Sequence, residues 1–148
     1  MSPHHNSVVY NDFQIDWEGK KLIIVEDDEA SYQYFESLLR RTGIRIVWIK
    51  NGLDFMNYVQ EEKNPADIII MDVLIPLKNG IDATRFIKRL YPKIPVIIVT
   101  AYASREIREK SYMTGCDAYL TKPVLPHTLL KTLNEFIEAE GVKRFEKS

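Results

Sequence analysis

The sequence predicts an α/β domain in which a parallel sheet carries helices on both faces. Three observations predict it. Between residues 21 and 137, five short apolar runs alternate with five stretches of helical periodicity, the pattern of repeated strand–helix–strand units. One run, Ile68-Ile69-Ile70-Met71, is apolar without a break, as a strand buried on both faces requires. Polar residues follow four of the five runs, on the edge where open parallel sheets take their ligands.

Each element has its own warrant. Residues 1–19 carry no periodicity and are expected to be a tail or linker, with Trp17 packing on the domain edge and His4 and His5 belonging to a chain end rather than a metal site. Leu22 to Val25 is a buried strand. Residues 29–42 place Tyr32, Phe35, Leu38 and Leu39 at helical spacing, and Gly43 closes that helix. Ile44 to Ile49 is the second strand, and Asn51-Gly52 reads as a turn before a helix carrying Phe55, Met56 and Val59. Asn64-Pro65 breaks that helix, and the central strand follows at 67–72. Residues 80–91 put Ala83, Phe86, Ile87 and Leu90 on one helical face. Val96 to Thr100 is the fourth strand, a helix spans about 104–114, and Asp117 to Thr121 is the fifth strand. Pro126 opens a last helix with Leu129, Leu130, Leu133, Phe136 and Ile137 facing inward, and residues 141–148 are expected as a charged tail. The domain is therefore expected over residues 20–140.

Composition narrows the function classes. The chain has 148 residues, 45% of them hydrophobic, enough for one domain with a sizeable core. Its net charge of -1, from 20 basic and 21 acidic residues, argues against binding nucleic acid or an anionic membrane through bulk electrostatics. Cys116 is the single cysteine, which excludes an internal disulfide and a cysteine-based zinc site and fits a reducing, cytoplasmic setting. The apolar runs are too short to span a bilayer, and the N-terminus has no signal-peptide core.

The chemistry gathers at the strand ends. The first strand runs into Glu26-Asp27-Asp28-Glu29, the third into Asp72, the fourth ends at Thr100, and the fifth leads into Lys122-Pro123. Asp28 is expected to cap the following helix and Glu29 to be a favourable first-turn acid, so neither is assigned a ligand role. Thr100 or Lys122 alone would be an ordinary strand-end residue; co-occurrence at successive strand ends carries the case. Glu26, Asp27 and Asp72 repel one another unless cations stand among them. Mg²⁺, which prefers oxygen ligands and keeps several waters, together with Lys122 balances three negative charges with three positive ones.

These motifs resemble a known family, the receiver domains of two-component response regulators. Val25-Glu26-Asp27, Met71-Asp72 with Pro76 and Gly80 following, Val99-Thr100-Ala101 and Lys122-Pro123 occur in family order over roughly residues 20–140. The resemblance implies a flavodoxin-like, doubly wound, five-stranded parallel sheet of order 2-1-3-4-5. It implies that Asp72 is the phosphoacceptor and that Glu26 and Asp27 hold Mg²⁺ (or Mn²⁺), with the Leu74 backbone carbonyl completing the protein ligands. Thr100 would hydrogen-bond the phosphoryl group, Lys122 would pair with one of its oxygens and its bond to Pro123 would be cis, and Tyr119 would be the aromatic that reorients on activation. The face built from the fourth helix, fifth strand and fifth helix would change with it. The implied donor is a phosphohistidine on a histidine kinase or histidine phosphotransfer protein, and the implied assembly is a monomer or weak homodimer. The domain would itself be no enzyme beyond accepting the group and slowly losing it.

Some positions depart from the commoner pattern. Glu26 replaces an aspartate, Ile75 a frequent methionine and Asn79 a frequent aspartate. Leu74 and Tyr102, two residues after Asp72 and Thr100, carry no carboxylate or amide to orient water, so a long-lived phosphoryl group is expected. Two arrangements fit, a free-standing regulator or the C-terminal receiver of a hybrid sensor kinase, and the linker-like Trp17-Glu18-Gly19-Lys20 favours the second. Three rivals remain in view. An aspartate-nucleophile phosphohydrolase would want a second Asp where Leu74 stands. A flavin-binding domain would want a phosphate-cradling loop where Glu26 to Glu29 repel phosphate. A non-phosphorylated interaction module would not need the acid–Thr–Lys set.

Overall fold

The computed structural model describes the backbone of residues 8–10 and 13–147 and the side chains of residues 15–137; His4 and His5 lie outside the described residues. A short antiparallel hairpin, β1 (Val8–Tyr10) and β2 (Phe13–Ile15), precedes the main sheet. That sheet comprises β3 (Lys21–Val25), β4 (Arg45–Ile49), β5 (Ile68–Met71), β6 (Val96–Thr100) and β7 (Ala118–Thr121). All its neighbours pair parallel, in the order β4-β3-β5-β6-β7. Numbered along the chain, those five strands give the expected order 2-1-3-4-5. The helices are α1 (Glu29–Leu39), α2 (Gly52–Glu61), α3 (Gly80–Leu90), α4 (Arg105–Met113) and α5 (Pro126–Lys147).

Strand alternation divides the core into two layers. Leu22, Ile24, Ile68, Ile70, Ile97 and Val99 face one side and pack with Phe35 and Leu39 of α1 and Leu129 and Leu133 of α5. Ile23, Val25, Ile69, Met71 and Ile98 face the other and pack with Phe55 and Val59 of α2 and Ile87 of α3. Because side chains alternate sides along a strand, a run such as Ile68–Met71 must be apolar throughout to serve both layers.

The lead-in differs from its expected form. Trp17 is 1% exposed and Ile15 3%, both within the α1–α5 layer of the core. The Trp17 backbone N–H donates to the Thr42 carbonyl at 2.7 Å. Trp17 is therefore core rather than edge packing, and the packed unit begins before residue 20. The hairpin had a readable signal, Val8-Val9-Tyr10 and the alternating Phe13-Gln14-Ile15 on either side of Asn11-Asp12. At the other end α5 continues to Lys147, through the stretch expected as a tail; Gly141 does not stop it, and the residues that follow include the helix formers Lys143, Arg144 and Glu146. Asn51 is a helix cap rather than part of a free turn, its side chain accepting the Asp54 N–H at 2.7 Å. A 3₁₀ turn, Arg40–Thr42, finishes the first helical stretch before Gly43 turns the chain at φ 81°.

Candidate functional site

The site is built by strand register. Val25 pairs with Met71, so Glu26 and Asp72, the next residues on each strand, stand side by side as the chains leave the core. The Asp72 N–H donates to the Val25 carbonyl at 3.1 Å. Thr100 pairs with Thr121, and the Lys122 N–H donates to the Thr100 carbonyl at 2.9 Å. Four strands thus deliver an acid, an acid, a hydroxyl and an amine to one edge. The Lys122–Pro123 peptide is cis, as expected.

Lys122 joins the two buried acids. Its Nζ donates to Asp72 Oδ2 at 2.8 Å, to Glu26 Oε1 at 2.6 Å and to Ser31 Oγ at 3.2 Å. Side-chain exposure is 2% for Glu26, 9% for Asp72 and 19% for Lys122, so water screens these charges poorly. Burial raises the Glu26 pKa above its ordinary value, the Lys122 bond pulls it down, and the Asp72 charge raises it again. Burial works against the Lys122 ammonium, but its bonds to Asp72 and Glu26 outweigh that and raise its pKa. Nothing in the sequence marked Ser31 for this contact.

Around this core lie the other expected residues. Asp72 Oδ1 accepts the Leu74 N–H at 3.2 Å, and the Leu74 side chain turns outward, 56% exposed. Thr100 is fully buried, and its Oγ1 accepts the Tyr102 N–H at 3.1 Å; its own hydroxyl hydrogen remains available to donate. The Tyr119 hydroxyl donates to the Tyr102 carbonyl at 2.7 Å, so the main chain of one residue, Tyr102, touches both Thr100 and Tyr119. Asp28 caps α1 as expected, its carboxylate accepting the Ser31 N–H at 2.8 Å. Asn79 does the same for α3 through the Asp82 N–H at 2.9 Å.

Two glycines hold the loop after Asp72. A Cβ on Gly80 would overlap the Asp72 carbonyl oxygen, and one on Gly52 would overlap the Lys78 carbonyl oxygen. Gly80 also donates its N–H to the Val73 carbonyl at 2.8 Å. Gly80→Ala is accordingly expected to destabilise the fold by about 2 kcal/mol, the cost of overpacking against backbone that cannot swing aside. A urea midpoint equal to that of the unsubstituted chain would show that the backbone yields there.

The acids do not converge as three. Asp27 is exposed while Glu26 and Asp72 are buried with Lys122 between them. Among the described residues no three His, Cys, Asp or Glu side chains are grouped closely enough to hold a metal ion. Lys122 stands between the two buried acids and neutralises them, while Asp27 faces solvent. The donor set nonetheless fits a partly hydrated Mg²⁺: all-oxygen, carboxylate-rich, with one acid facing water.

A groove of about 620 Å³ borders the site on the α1 side, lined by Ser31, Tyr34, Phe35, Lys122, Val124 and Leu125 among others. Cys116, by contrast, is an inert core thiol, with burial and the Asp117 charge pushing its pKa up to about 12. No described helix is long and apolar enough to cross a membrane.

Comparison with known proteins agrees with this geometry. Residues 22–134 match the family model of the response regulator receiver domain. The chain is 31% identical over 120 residues to the polar-differentiation response regulator DivK of Brucella anthropi, covering 80% of this chain and 96% of that protein. It is 32% identical over 122 residues to hybrid signal transduction histidine kinase I of Dictyostelium discoideum, covering 78% of this chain but only 7% of the kinase. Among solved structures, the receiver domain of the sensor histidine kinase PA1611 from Pseudomonas aeruginosa superposes with a TM-score of 0.73 at 29% identity, covering 80% of this chain and 98% of that one; that structure has a magnesium ion coordinated in its active-site cleft.

Proposed function

The chain belongs to the family of response regulator receiver domains, and from that premise we propose that it is a phosphoacceptor switch in which Asp72 takes a phosphoryl group from a phosphohistidine donor. The observation that carries this reading is the Lys122 ammonium bound at once to Asp72 Oδ2 and Glu26 Oε1. A strand-end carboxylate is a weak nucleophile toward a phosphoryl donor that is itself negative. A fixed cation beside it offsets charge on the transferring oxygens, and the chemistry reduces to positioning and electrostatics. An Asp72 oxygen forms the new O–P bond as the P–N bond to the donor imidazole breaks, and the imidazole keeps the released electron pair and takes a proton from solvent. Glu26, Asp27, Asp72 and the Leu74 carbonyl are the groups that would hold Mg²⁺, or Mn²⁺ in its place. When bound, the cation would supply further neutralisation of the phosphoryl oxygens.

The switch follows from Thr100. Its free hydroxyl hydrogen would turn to a phosphoryl oxygen on Asp72 and shift Tyr102, whose N–H bonds Thr100 and whose carbonyl holds the Tyr119 hydroxyl. Movement there would remodel the face of α4, β7 and α5. Moving such an equilibrium from 1:99 to 99:1 takes about 5.5 kcal/mol of differential stabilisation. The donor class is a histidine kinase or histidine phosphotransfer protein in a cytoplasmic setting. Leu74, in the place where a phosphohydrolase would want its general acid, has no proton to give.

Incubation with acetyl phosphate and Mg²⁺ followed by intact mass measurement tests the reading: one phosphoryl group adds about 80 Da. An unchanged mass, with the protein folded, overturns it. The exposed Leu74 and Tyr102 side chains lead to a second expectation. The phosphorylated form should persist for minutes or longer without a phosphatase, because neither side chain carries a carboxylate or amide to orient an attacking water. Loss of the added mass within seconds would contradict that.

A further inference from the structure

We infer that Trp48 is a positioning residue for the acidic loop, acting on Glu26 through its main chain; the inference rests on the phosphoacceptor reading of the site. Trp48 lies on β4, the edge strand, and its indole Nε1–H donates to the Glu26 carbonyl oxygen at 2.7 Å. The Glu26 N–H in turn donates to the Ile49 carbonyl at 3.0 Å. β4 therefore grips both main-chain polar groups of Glu26, one with its backbone and one with a side chain. The second grip stands just beyond the last paired residues of the ladder, Val25 and Ile49, where the chain leaves the sheet for the exposed Asp27 and the cap of α1.

The indole is itself held. Tyr32 of α1 stacks on it with ring centroids 3.9 Å apart and planes within 2° of parallel. The Lys50 ammonium stands 4.5 Å from its ring centroid. The flat contact supports the indole by packing, while its N–H direction is fixed by the hydrogen bond to the Glu26 carbonyl oxygen itself. Glu26 needs such a guide. Its side chain is almost wholly buried and must meet Lys122 within hydrogen-bond distance, and its peptide leads directly to Asp27. A shift of the Glu26 carbonyl displaces both acids relative to Asp72. Outer contacts of this kind orient metal-ligating groups and commonly change metal affinity tenfold or more when lost. Here the contact acts through the main chain, which predicts an effect at or just below the lower limit of that range.

Three proteins separate positioning from simple packing: the unsubstituted chain, Trp48→Phe, which keeps an aromatic ring but loses the donor, and Tyr32→Leu, which loses the stack but leaves the donor. Mg²⁺ dissociation constants of the unphosphorylated proteins are read by calorimetry, and unfolding midpoints by urea. Trp48→Phe is expected to weaken Mg²⁺ binding about five- to tenfold, while Tyr32→Leu lowers the unfolding midpoint at least as much yet shifts Mg²⁺ affinity less than about twofold. In the unsubstituted chain, which needs no variant to fold, the Trp48 indole N–H resonance should move saturably with Mg²⁺ while that of Trp17 stays fixed. If the unsubstituted chain binds Mg²⁺ and Trp48→Phe binds it equally well, or if the Trp48 resonance does not move as the site fills, the positioning role is overturned while the phosphoacceptor reading survives. If the unsubstituted chain neither binds Mg²⁺ nor gains phosphoryl mass, both fall together.

Discussion

Asp72→Asn is expected to eliminate the mass gain from acetyl phosphate altogether. The substitution replaces the nucleophilic oxygen with an amide nitrogen whose lone pair is delocalised, so no acyl phosphate can form there. The fold is expected to survive, because the side chain keeps its size and one acceptor oxygen for either Leu74 N–H or Lys122. The charge change also eases Glu26, whose raised pKa owes part of its shift to Asp72. A group raised in the folded state contributes stability that is lost as pH rises through its folded value. Removing the Asp72 charge lowers that value and lessens the loss above it. Asp72→Asn should therefore unfold within about 1 kcal/mol of the unsubstituted chain near neutral pH, where one bond lost offsets one repulsion removed. Persistence of the full mass gain in the variant would place the phosphoacceptor elsewhere.

Lys122→Ala is expected to cost about 3 kcal/mol of stability at neutral pH and to abolish phosphoryl acceptance. Removing one partner from a buried ion pair leaves an uncompensated charge, which costs more than the pair contributed. Here two buried carboxylates are left facing one another. The pH dependence has a definite sign. Glu26 already titrates above its ordinary value of 4.5, and Lys122 is the group that pulls it down. Without the lysine the folded value rises further, and the variant loses stability as pH climbs from 4.5 through that raised value. The gap between variant and unsubstituted chain should thus widen as pH rises above 4.5 in urea unfolding, through a fall in midpoint at constant slope. A constant gap over that rise would mean the acids are already screened by water.

Much of this was readable without coordinates. Three central apolar runs announced strands because a strand buried on both faces has no room for a polar residue, and the two edge strands followed from the alternation with helices. Asp28 announced a helix start because its side chain satisfies a local N–H group. Glu26, Asp72, Thr100 and Lys122 could be named because each stands just where an apolar run stops, which is a local property of the chain. Trp17 was misplaced at the domain edge because its burial depends on Thr42 and the α1–α5 layer, not on its neighbours in sequence. Asn51-Gly52 looked like a turn because a capping Asn and a turn Asn use the same local bond.

Local pattern thus specified the alternation of strands and helices and the residue types at the functional edge, since burial periodicity and capping are written over a few consecutive positions. Folding alone chose which of those residues touch: Lys122 reaches Glu26 across 96 residues and Asp72 across 50, and the Trp48 indole meets the Glu26 peptide across 22. Such contacts arise from strand register and crossover packing, and neither leaves a mark in the spacing of side chains along the chain.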